Sequence, residues 1–212
     1  MNKSLNQETV IFYDVPLVCG AAPSIGCGSR AKPLLLDLER QSAIKEVWLN
    51  RTGTMVAIVW HDEPRMEEAG KPVFKSHEVD YTERLADPQT VESFPIEGSW
   101  LRSADVDRLS LEEAQEIAET LAALPAKERP ISSEEAARIK SEIEVYFQKE
   151  LVKVRSKQEL LDDTRGMFTE AVLNIYEKHV GVQRMAEVRA LAPEIQSAFN
   201  RTDAEETSSC CS

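Results

Sequence analysis

Two cysteines, Cys19 and Cys27, bracket the loop "GAAPSIG" within "VCGAAPSIGCGSRAKPLLLDLER", between an apolar run and a stretch with helical spacing. Three chemistries suit that pattern. Thiolates from Cys19 and Cys27 can bind a soft ion, Cu(I), Zn(II) or As(III). A helix beginning just after Cys27 lowers thiol pKa through its partial positive charge, and Arg30 adds to that effect. The glycines Gly20, Gly26 and Gly28 can alternatively aim backbone N–H groups at a phosphate, although the loop carries neither a Walker lysine nor the G-x-G-x-x-G form. In the plainest reading Cys19 closes a strand, Cys27 packs under the helix and the glycines make a turn. Under the metal reading Gly26 and Gly28 let the backbone fold tightly around the site, and Arg30 holds Cys27 as thiolate.

A second thiol pair, Cys210 and Cys211, ends an acidic, polar tail. Adjacent cysteines do not easily bridge each other but can capture a soft ion, so they form an accessory ligand pair. His61, His77 and His179 share no ligand spacing with the cysteines. The chain has no nucleophile elbow, no HExxH and no kinase signature, and no general base beside a nucleophile. A binding protein is favoured over an enzyme, and no catalytic residue is named.

These groups need elements to position them. "TVIFYDVPLV" reads as a strand ending near Val18. "SRAKPLLLDLERQS" reads as a helix with Ser29 as N-cap and Pro33 in the first turn. "KEVWLN" and "TMVAIVWH" read as a hairpin turning at Gly53. The order is β-α-β-β, and from His61 to about Ala104 the pattern weakens among prolines. "SLEEAQEIAETLAAL" suggests a helix with a capping box from Ser110 to Glu113. After "PAKERP", Ser132 or Ser133 caps a longer helix whose apolar face carries Ile139, Ile143, Phe147, Leu151 and Val154. Glu112–Glu113 and Glu134–Glu135 read as first-turn carboxylates favoured by the helix dipole. The expected organisation is α+β: an α/β module over 9–104, a mostly helical segment over 105–200 and a flexible acidic tail over 201–212.

The segment from about Val10 to Trp60 resembles the heavy-metal-associated domain of copper chaperones, mercury-binding proteins and metal-pumping ATPases. The pieces that carry the likeness are "VPLVC" running into a loop, "LLLDLERQSAIKEVWLN" as helix and "VWLNRTGTMVAIVW" as strand, turn and strand. The resemblance implies a ferredoxin-like β-α-β-β-α-β unit and a metal loop before the first helix. Counting back from Leu35 and Leu38, Cys27 falls on the second of that family's two cysteine positions and Ser24 on the first. Cys19 lies earlier and must fold back across the loop to serve.

The net charge of -12 disfavours nucleic acid and anionic membrane surfaces as partners. No segment approaches the roughly 18 consecutive apolar residues of a membrane helix, and the first residues lack the apolar core of a secretory signal. The expectation is a cytoplasmic protein with reduced thiols that binds a soft metal or another thiol-reactive species, as a chaperone or sensor would. The alternatives are an interaction or scaffold protein that uses its helical segment to meet a partner or a second copy, and a thiol-disulfide oxidoreductase.

Overall fold

The computed structural model describes residues 9–20, 22–61, 64–85, 87–96, 98–125, 131–154 and 164–200. Its framework is α+β. Strands β1 (Thr9–Asp14), β2 (Ile44–Asn50), β3 (Met55–Trp60), β4 (Thr82–Arg84) and β5 (Trp100–Arg102) form one antiparallel sheet in the order β4-β1-β3-β2-β5. Helix α1 (Gly28–Glu39) joins β1 to β2, and α2 (Lys71–Ser76) joins β3 to β4. The short α3 (Pro88–Ser93) precedes β5.

The central strand explains why "MVAIVW" is apolar without alternation: every residue of β3 is buried, because both faces of the sheet are covered. One face carries Val56, Ile58 and Trp60 against Leu34, Leu35 and Leu38 of α1 and Phe74 of α2. On the other face Phe12, Met55, Ala57 and Trp100 pack with Phe94, whose ring meets Trp100 edge-on at 5.2 Å. The β2–β3 hairpin turns where the sequence indicates, with Gly53 at φ 73°. The first strand is shorter than the apolar run suggests and ends at Asp14. Beyond it the chain follows the hairpin turn, with Val15 N–H on the Thr54 carbonyl and Leu17 N–H on the Gly53 carbonyl, both at 2.9 Å.

Helices α4 (Asp107–Ala122), α5 (Ser133–Leu151), α6 (Thr164–Val180), α7 (Met185–Ala190) and α8 (Ala192–Asn200) follow. In α5 the buried residues are Ile139, Ile143, Phe147 and Leu151, the face indicated by the periodicity, and Ser132 with Glu135 forms a complete capping box. Helix α4 belongs to two cores. Val106 and Leu109 at its start pack into the sheet-side core, whereas Ala114, Ile117, Ala118 and Leu121 pack with α5, α6 and the following helices. The Tyr176 hydroxyl of α6 donates to the Leu121 carbonyl near the end of α4. Among the described residues no helix is long and apolar enough to cross a membrane.

Candidate metal centre

The backbone brings the two cysteines together although seven residues separate them. Val18 and Gly26 form an isolated antiparallel bridge. Cys19 N–H donates to the Ile25 carbonyl at 2.9 Å, and Cys27 N–H donates to the Leu17 carbonyl at 2.7 Å. This clasp is the fold-back that a joint site demands. It sets Cys19 and Cys27 on opposite sides of the bridge, diagonal to each other, with their ligand atoms converging.

Two glycines permit the clasp to seat. A Cβ on Gly26 would lie 2.9 Å from the Gly53 Cα, and one on Gly28 would lie 2.4 Å from Ser110 Oγ and 2.7 Å from the Ser110 backbone nitrogen. The loop therefore touches the hairpin turn on one side and α4 on the other. Gly26 N–H is spent on the Arg51 carbonyl at 2.8 Å, and Gly28 N–H bonds Glu113. Those engagements take up two of the three N–H groups that a phosphate would need.

The structure corrects the reading of both helix starts. Helix α1 begins at Gly28 with Cys27 as its N-cap residue, so Ser29 is not the cap and Pro33 lies beyond the first turn. Ser29 is instead buried with its Oγ 3.3 Å from Cys27 Sγ. Helix α4 begins at Asp107 instead of beside Ser110, and no capping box forms there. Asp107 pairs with the buried Lys32 of α1, and Val106 and Leu109 are drawn into the sheet-side core. Starting the helix earlier moves Ser110 and Glu113 into its body and turns both toward α1.

Glu113 is thereby the third member of the site. Single ligand atoms of Cys19, Cys27 and Glu113 all lie within 4.8 Å of one another, and all three residues are buried. Cys27 Sγ is 3.6 Å from Glu113 Oε1. Ala22 N–H donates to Cys19 Sγ at 3.3 Å. Two polar atoms here are sealed from solvent and unpartnered: Glu113 Oε2 and Ser110 Oγ. Buried polar atoms without partners are uncommon, and an ion or a water accounts for them.

The electrostatics divide the two thiols. Cys27 is lowered to about 6, chiefly because the Cys19 thiol donates to its sulfur; Ser29, the Arg30 N–H and the Arg30 charge assist, while burial opposes them. Cys19 is raised for the reciprocal reason, its proton being held on Cys27, with burial and the Glu113 and Cys27 charges adding to the effect. Burial pushes Glu113 well above the ordinary carboxylate range, and the neighbouring Cys27 charge pushes it further. Without an ion the cluster keeps protons on Cys19 and Glu113 and negative charge on Cys27. A bound cation would displace those protons.

Of the residues singled out in the sequence, Cys19 and Cys27 converge, Gly26 and Gly28 shape the clasp, and Arg30 acts on Cys27 through its N–H and its charge. Exposure is 2% for Cys19 and 6% for Cys27, so the sulfurs are buried instead of lying at an open helix mouth. Cys210 and Cys211 lie outside the described residues. His77 and His179 are engaged elsewhere, by Asp37 at 2.8 Å and Glu142 at 2.7 Å. Glu113 was hidden by its resemblance to a capping carboxylate. Its signal was its place on the apolar stripe of Leu109, Ala114 and Ile117, where an acid is out of character. In comparisons with known proteins, no family model, no curated protein and no solved structure matches this chain.

Proposed function

We propose that the protein binds a metal ion through the thiolates of Cys19 and Cys27 and the carboxylate of Glu113. The observation that carries this reading is the convergence of three buried ligand atoms within 4.8 Å, drawn from the clasp and from α4. Supporting it, Glu113 Oε2 has no partner of its own. A buried carboxyl oxygen without a partner is costly, and a bound cation would supply one. Cys19 and Cys27 are both free thiols here, the state that coordination requires.

The framework supports the ferredoxin-like reading of the first module. The sheet order β4-β1-β3-β2, with α1 and α2 packed on one face, is that of a split β-α-β pair, with β5 added beyond β2. The metal loop of the heavy-metal-associated domain lies between the first strand and first helix, where the clasp lies here. The ligand set is different, since Glu113 comes from outside that module's β-α-β-β core.

The test is metal analysis of the full chain purified without chelator, then titration with Zn(II), Co(II), Cu(I) and As(III). One equivalent per chain is expected to bind, with uptake lost in Cys27→Ser and weakened at least tenfold in Glu113→Gln. Absence of stoichiometric uptake of every ion would sink the reading. A reversible two-electron thiol couple in its place would favour the oxidoreductase alternative.

A further inference from the structure

We propose that the ion is a borderline divalent cation of the zinc class, held in four-coordination by Cys19, Cys27, Glu113 and a water positioned by Ser110. This deepens the metal-binding reading and rests on it. Bonds of about 2.3 Å to sulfur and about 2.1 Å to oxygen, meeting at a tetrahedral angle, place sulfur and oxygen about 3.6 Å apart. Cys27 Sγ and Glu113 Oε1, which share a hydrogen bond, stand at that separation of 3.6 Å, so an ion could replace the proton between them with little movement.

Fully deprotonated, the three ligands carry three negative charges in a buried pocket. A divalent ion leaves a single excess charge, which the N–H groups of Ala22 and Arg30 and the Arg30 guanidinium face. A monovalent ion such as Cu(I), bound by the two sulfurs alone, would leave the buried Glu113 Oε2 without a partner. The mixed sulfur and oxygen set likewise suits a borderline ion better than one that prefers sulfur alone.

Three protein ligands leave one tetrahedral position for an exchangeable group. Ser110 is one helical turn before Glu113, on the same side of α4, 1% exposed and with its hydroxyl unpartnered. It abuts Gly28, the residue after Cys27. A water in the fourth position would accept or donate one hydrogen bond there, which removes the orphan. Ser110 would thus orient the small oxygen donor that completes the coordination.

X-ray absorption of the zinc-loaded full chain tests this, together with competition between Zn(II) and Cu(I). Two sulfur and two oxygen neighbours are expected, with Zn(II) affinity reduced about tenfold in Ser110→Ala and at least that in Glu113→Gln. In the metal-free protein Ser110→Ala should leave the melting temperature unchanged or raise it, because the hydroxyl it removes has no partner; a merely structural serine would show a loss. Sulfur-only coordination, or Cu(I) binding that is indifferent to Glu113→Gln, would overturn the choice of ion while the metal site survived. Unchanged coordination and affinity in Ser110→Ala would overturn the water's placement. Failure to bind any ion would sink the metal-binding reading beneath both.

Discussion

Cys27 differs from an ordinary buried cysteine because it caps a helix and receives a hydrogen bond from Cys19, so its thiolate is favoured despite burial. In the metal-free protein, ultraviolet thiolate absorbance should therefore develop with a midpoint well below the ordinary thiol value of 9.0. Cys27→Ser should abolish that step, and Cys19→Ala should move it upward by removing the donor. A rise only near the ordinary thiol value would contradict the arrangement. The linkage signs oppose each other. The depressed Cys27 contributes stability that is present above its ordinary value of 9.0 and is lost as pH falls through about 6. The raised Glu113 contributes stability that is present below its ordinary value of 4.5 and is lost as pH rises through its elevated one. Glu113→Gln should thus flatten the alkaline limb of the metal-free stability profile, measured by denaturant midpoint across pH.

At the scale of elements, the site depends on a close approach of the α1 N-terminus to α4. Gly28 leaves no room for a side chain there, since its would-be Cβ meets backbone as well as the Ser110 hydroxyl. Gly28→Ala should cost about 1–3 kcal/mol, the usual range for overpacking, and should weaken metal uptake by pushing Glu113 away from the clasp. Ser132→Ala, which removes a cap distant from the site, should cost about 1 kcal/mol and leave uptake unchanged. Paired melts and metal titrations of the two variants separate loss of the site from loss of general stability.

Over the whole molecule, α4 is the member shared by the sheet-side and helical cores, and it is fastened to the first module at several points. Asp107 pairs with Lys32, Glu112 makes a bidentate pair with Arg51 with one arm at 2.8 Å, and Glu113 meets Cys27. An ion that grips Glu113 therefore ties the clasp to the helix on which the second core is built. Ligand at a hundredfold its dissociation constant should add about 2.7 kcal/mol to stability. Hydrogen exchange should slow in α5 around Ile139–Phe147 as well as in α1. Protection confined to α1 and the first turns of α4 would show that the two cores open independently.

Local chemistry is what the linear chain determined. The Gly53 turn, the hairpin, the Ile139–Leu151 stripe and the Ser132 cap follow from φ preferences, side-chain periodicity and hydrogen bonds within a few residues, so they are legible without neighbours. Cys19 and Cys27 could be named as thiols beside a helix start, but their meeting depends on the Val18–Gly26 bridge, which forms because the chain runs along the β2–β3 turn. The boundary of α4 was likewise decided at a distance. Pairing of Asp107 with Lys32 and burial of Val106 and Leu109 outweighed the local capping signal at Ser110. That choice of where one helix begins turned Glu113 from an apparent surface cap into a buried partner of two sulfurs, because packing against α1 fixes which face of α4 looks inward.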